Sequence, residues 1–210
     1  MYLYSTSVRP GVASPVKVME WALSMTAKIN QISSVSTSLW TSAMSPAMGT
    51  MAWTSVVSDL AVIEDTETKL AADPGYMALV EQATGLLSTD AADQMLMQLV
   101  HADPDAAGID AHYASTARAT LAPGSTVAGI ELGVEMAQKA KKVTGRPTSF
   151  AVGVTGDYGA VMWVSLAETI QQLQAGFEAL NSDTDFAKMV DKAGKAYLPG
   201  TTQTVNRKIA

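Results

Sequence analysis

The sequence contains no cysteine, which excludes disulfides, thiolate metal sites and cysteine nucleophiles and removes the usual clue to redox compartment. It has only two histidines. Standing at His101 and His112 with no other soft ligand nearby, they do not make a zinc site. Charge is also scarce: 16% of the residues are Asp, Glu, Lys or Arg, against about 25% in an average globular domain. The net charge of −6 argues against a nucleic-acid binder, whose affinity rests on Lys and Arg neutralising phosphates. No segment approaches the ~20 continuous apolar residues of a membrane span. The opening residues Met1-Tyr2-Leu3-Tyr4-Ser5 lack the basic start and apolar run of a signal peptide, so the expected compartment is the cytoplasm. Phosphate loops and nucleophile elbows are missing as well, since Gly153, Gly156 and Gly159 fall in a hairpin and no serine has the strand-to-helix context. Asp103, Asp105 and Asp110 lack the spacing of a calcium loop. What remains is a chain of 210 residues, 48% apolar and holding 39 Ser or Thr, large enough to bury a real core as one large domain or two small ones.

The two halves repeat one another. Met51-Ala52-Trp53-Thr54-Ser55 matches Val161-Met162-Trp163-Val164-Ser165. In the same register Leu60 meets Ile170, Tyr76 meets Phe186, and Leu79-Val80 meets Met189-Val190. Upstream, Arg9-Pro10-Gly11 matches Ala122-Pro123-Gly124 with a small change of register. A series of matches in one order, on elements of the same type, marks an internal duplication.

Each half reads as the same string of elements. Tyr2 to Val8 alternates as a strand, with Leu3, Ser5 and Ser7 on one face. Ser14 and Pro15 open a helix whose apolar positions are Val18, Ala22, Met25 and Ile29. Val35 to Met44 and Thr50 to Val57 form a hairpin around Pro46 and Gly49. Leu60 to Ala72 and Tyr76 to Leu87 are helical, separated by Asp73-Pro74-Gly75, and Gln94 to Val100 is a closing strand. The second half runs as a strand from Tyr113 to Leu121, a helix capped by Ser125, a hairpin of Phe150 to Thr155 and Ala160 to Leu166, helices from about Ala167 to Asn181 and from Phe186 to Tyr197, and a strand from Gln203 to Ile209. Residues 1–101 are thus a first unit, 102–111 a short acidic connector, and 112–210 a second unit.

A βαββαβ unit with a Trp-bearing third strand, here Trp53-Thr54-Ser55 and Trp163-Val164-Ser165, resembles the ferredoxin-like units of the dimeric α+β barrel superfamily. The chain looks most like its duplicated members, the NIPSNAP-like and antibiotic-biosynthesis-monooxygenase-like proteins. The resemblance implies an α+β fold in which two tandem ferredoxin-like units pack their antiparallel sheets into one barrel. It also implies a range of functions, from cofactor-independent oxygenases and haem enzymes to isomerases and noncatalytic binders, and the fold does not choose among them.

His112 and Arg118 share one face of a strand if it starts at His112. They are the candidate catalytic pair, with His112 as base and Arg118 for an anionic or enolic substrate; the alternative reading is a surface histidine at a strand entry and an arginine on the helix-covered edge. For haem, His112 is the only plausible axial ligand. Trp40, Trp53, Trp163 and Tyr113, with the methionines around them, either line an apolar ligand pocket or form inter-sheet core. The expected function is therefore binding of a small apolar molecule between the sheets, with weak cofactor-independent oxygenase-like or isomerase-like chemistry and no metal. The alternative, drawn from a surface poor in charge, is a structural or interaction subunit of a homo-oligomer or larger particle.

Overall fold

The computed structural model describes residues 1–46, 48–88 and 92–210. Its first unit comprises β1 (Tyr2–Val8), α1 (Pro15–Ile32), β2 (Ser38–Ala43), β3 (Met51–Val57), α2 (Leu60–Ala72), α3 (Pro74–Gln82) and β4 (Asp93–His101). A short 3-10 turn at Pro104–Ala107 leads to the second unit. That unit comprises β5 (Tyr113–Thr120), α4 (Thr126–Thr144), β6 (Thr148–Gly153), β7 (Ala160–Ala167), α5 (Ile170–Ser182), α6 (Thr184–Ala193) and β8 (Thr202–Lys208). Some boundaries differ from the sequence pattern for local reasons. Ser33 Oγ accepts from the Val35 N–H and Asn30 Oδ1 from the Thr37 N–H, so a turn delays β2 to Ser38. Asp73 and Asp183 cap α3 and α6 through the Tyr76 and Phe186 N–H groups, which starts those helices at Pro74 and Thr184.

All strand pairs are antiparallel, and the eight strands close in the order β1-β3-β2-β8-β5-β7-β6-β4. Each unit contributes a four-stranded ferredoxin-like sheet. The fourth strand of each pairs with the second strand of the other, β4 with β6 and β8 with β2, so neither sheet keeps a free edge. The helices lie outside, each unit's on its own sheet. On the first, Val18, Trp21, Ala22 and Met25 of α1 pack on Leu39, Met51 and Trp53. On the second, Leu132 and Ala137 of α4 pack on Phe150, Val161 and Ala119.

Side chains on the opposite strand face point into the barrel. Along β4, β6 and β7 this interior is apolar, with Met97, Ala151 and Met162 buried against Leu3, Met95, Leu99 and Val164. Along β2, β8 and β5 it is hydrogen-bonded. Ser42 Oγ donates to Asn206 Oδ1 at 3.1 Å, and the Thr116 and Thr204 hydroxyls lie 2.6 Å apart.

The duplication extends to single interactions. Lys28 pairs with Asp73 at 3.0 Å and Lys139 with Asp183 at 2.9 Å. The hydroxyls of Thr37 and Ser55 are 2.7 Å apart, those of Thr148 and Ser165 2.8 Å. One expected match is corrected. The bridges Pro10 to Leu87 and Leu121 to Tyr197 make Pro10 the counterpart of Leu121, not of Pro123. The two turns are of equal length, and the Pro-Gly likeness between them is coincidental.

Candidate functional site

Equivalent places in the two units are open in one and closed in the other. In the second unit the Leu121 N–H donates to the Gly159 carbonyl at 2.9 Å, which zips the end of β5 to the β6–β7 turn. The Leu121 side chain then lies on Gly129 of α4, where a Cβ would overlap it. In the first unit the counterpart of Leu121 is Pro10, which has no N–H to donate and a shorter side chain. The counterpart of Gly129 is Val18, each bonding back to the helix-capping serine. The β2–β3 hairpin is also one residue longer: Leu39 faces Trp53 across it, whereas Phe150 faces Trp163. Met44, at φ 50°, takes up part of the extra length in a conformation uncommon outside glycine.

A half-open cleft of about 740 Å³ results between Pro10, the start of α1 and the hairpin. Val18 and Met19 of α1 form one wall, Thr41 and Met51 the sheet floor, and Pro46, Met48 and Thr50 the hairpin side. The volume suits a small organic molecule. The lining is largely aliphatic and thioether, and methionine adapts its shape to a guest more readily than branched side chains. Polar groups are few: the Thr41 and Thr50 hydroxyls and Arg9. Among the described residues no carboxylate or imidazole lines the cleft, so these side chains can orient a guest and exclude water but offer no acid–base pair.

The residues singled out from sequence do not meet in this cleft, nor in one place elsewhere. Trp53 and Trp163 lie on the helix-covered faces of the two sheets. Trp53 stands edge-on to Trp21 at 5.7 Å and donates to Thr26 Oγ1, while Trp163 contacts Phe150 and Tyr197 and donates to the Gly133 carbonyl. Trp40 points into the barrel and donates to Thr54 Oγ1 at 3.0 Å. Tyr113 is half-buried on the outer face of β5. β5 starts at Tyr113, one residue after His112, and six residues, about 20 Å of extended chain, separate His112 from Arg118. Both are exposed. His112 stands 3.5 Å from Asp110, and Arg118 lies between Met162 and Thr202 at the other end.

Neither histidine lines the cleft, so the axial haem ligand expected from the sequence, His112, lies outside it. Among the described residues no group of three His, Asp or Glu side chains is placed to hold a metal ion. A separate polar cluster lies under α2, where the Tyr4 hydroxyl donates to Glu67 at 2.7 Å and accepts from Gln94. Burial, and then the bond to Glu67, push Tyr4 up to about 12, so this phenol stays protonated at neutral pH.

No protein-family model matches the chain, and no curated protein matches its sequence. Solved structures do match its fold. A candidate monooxygenase from Fusobacterium nucleatum superposes with a TM-score of 0.72 at 7% identity, covering 100% of this chain and 92% of its own. An anthrone oxidase-like protein superposes with a TM-score of 0.68 at 13% identity, covering 100% and 91%. A mutant chlorite dismutase from Candidatus Nitrospira defluvii does so at 0.54 and 10%, covering 99% and 92%. These likenesses establish the duplicated ferredoxin-like α+β barrel fold. No helix among the described residues is long and apolar enough to cross a membrane.

Proposed function

We propose that the protein binds one small, largely apolar molecule in the first-unit cleft. The observation that carries this reading is the contrast between units: the same fold closes the place with Leu121 in one copy and leaves about 740 Å³ in the other. The sequence pattern points to a pocket between the two sheets. The cleft instead lies between a sheet and its helices, while many of the barrel-facing side chains bond or pack against one another. The neighbours named as a candidate monooxygenase and an anthrone oxidase-like protein make an oxygen-dependent reaction of the bound molecule the first chemistry to assay. With no acid–base pair in the lining, such a reaction would draw on the substrate's own reactivity, the protein supplying orientation and exclusion of water.

The uncharged fluorescent probe N-phenyl-1-naphthylamine tests the location. Met19→Trp, which fills the α1 wall, should weaken binding about tenfold, equal to about 1.4 kcal/mol. Trp40→Phe, a change inside the barrel, should leave it unchanged. The opposite sensitivities would move the site between the sheets.

A further inference from the structure

We infer that position 10 is the gate of the cleft: Pro10 holds it open by withholding a backbone hydrogen bond, and the second unit carries the same site in a latent form, shut by Leu121. This rests on reading the first-unit cleft as a binding site, and it adds what sets the site's opening and its stoichiometry.

Apart from the extra residue in the first, the two hairpins are anchored alike. Each reaches across to the fourth strand of the other unit. Ser45 Oγ accepts from the Val205 N–H at 2.8 Å and donates to its own strand at the Ala43 carbonyl, also at 2.8 Å. In the second hairpin Thr155 Oγ1 accepts from the Leu96 N–H at 3.1 Å, and the Val154 N–H donates to the Leu96 carbonyl at 2.9 Å. The turn that follows the first strand is also anchored alike, Gly11 N–H to the Leu86 carbonyl and Ala122 N–H to the Ala196 carbonyl, both at 2.8 Å. What differs is the tie between each hairpin and its own first strand. In the second unit β5 stays paired through Thr120 and Ala160, and the Leu121 N–H extends the zip to Gly159. In the first unit pairing ends at Val8 and Met51. The next residue positioned to donate is Pro10, and proline has no hydrogen to give. The same position decides the side chain over the helix. Leu121 reaches down to Gly129, whereas the Pro10 ring leaves the space above Val18 to the cleft. One residue type thus controls both the backbone seam and the plug.

Two substitutions separate these roles. Pro10→Ala restores the N–H without a plug, and Pro10→Leu restores both. Amide exchange of the 42–51 hairpin should slow about tenfold in each variant. Affinity for N-phenyl-1-naphthylamine should fall about tenfold or more in Pro10→Leu and less in Pro10→Ala. In the second unit Leu121→Ala keeps the N–H but removes the plug, and should raise the number of probe molecules bound from one to two per chain. Unchanged hairpin exchange together with unchanged probe affinity in Pro10→Leu would overturn the inference. If Pro10→Leu does not fold, unchanged hairpin exchange in Pro10→Ala overturns it on its own. If the wild-type protein binds no probe while the hairpin still tightens in both Pro10 variants, the gate stands and the assignment of the cleft as a binding site fails.

Discussion

Replacing Phe150 by alanine should cost about 3–5 kcal/mol of folding stability, the range for removing a large buried aromatic side chain. Phe150 is fully buried, its ring 5.0 Å from that of Trp163 and pressed against α4 at Gly133. A Cβ at Gly133 would overlap that ring, so Gly133→Ala alone should also destabilise, by about 1–3 kcal/mol of overpacking. The informative case is the pair. In the Phe150→Ala background the ring is gone, the methyl fills part of the void, and alanine gains about 1 kcal/mol over glycine inside a helix. Gly133→Ala should then change sign and become stabilising. Urea unfolding reads this as midpoints that move with an unchanged slope. Additive effects, within about 0.5 kcal/mol, would mean that the ring and the helix do not meet as described.

The same packing shows how far the sequence could be read. Ser14-Pro15, the Asp73 and Asp183 turns and the paired Trp-x-Ser strands are local signals, and local signals placed the elements and the duplication correctly. Period-two alternation also sorted Leu3, Ser5 and Ser7 from Tyr4 and Thr6. Alternation cannot say, from one strand, which face the helices cover, and for that reason the sequence alone does not separate Trp53 and Trp163 from Trp40. Each tryptophan is apolar with one donor, and either face of the sheet offers it a partner: Thr26 and Gly133 on the helix side, Thr54 inside the barrel. The cleft was hidden for a different reason. Its cause is one missing N–H at Pro10 and one extra hairpin residue, and the Pro-Gly likeness of the two turns pointed to the wrong partner for Pro10. Once Leu121 is set opposite Pro10, the contrast is visible in the sequence itself.

The connector should prove as important to stability as the core, through Asp103. This carboxylate is fully buried and accepts from Lys141 Nζ at 2.7 Å, from the Thr148 N–H at 3.1 Å and from the Asp105 N–H at 3.0 Å. In the first unit Asn30 does the corresponding work, accepting from the Thr37 N–H that is the counterpart of Thr148. Asp103→Ala would leave the Thr148 N–H without its acceptor and Lys141 with only Asp105. Removing one member of a buried pair costs about 3–5 kcal/mol, and because a third of the Lys141 side chain is open to water the lower end applies, about 3 kcal/mol. Asp103→Asn keeps an acceptor but loses the charge, and should cost less. The pH dependence separates charge from packing. Burial pushes the Asp103 carboxyl up, but the bonds from Lys141, Thr148 and Asp105 outweigh it and hold the group below its usual range. A carboxyl lowered in the folded state adds stability that is complete above its unfolded value, about 3.9, and is lost as pH falls through the folded value. Asp73 and Asp183, held down first by the backbone N–H groups of Tyr76 and Phe186 and then by their lysines, act in the same direction. Urea unfolding of the wild type and Asp103→Asn should therefore show a gap at pH 7 that narrows as pH falls from about 4 toward 2. A gap that stays constant over that range would mean that Asp103 serves the connector by shape alone, and that its charge and Lys141 contribute nothing.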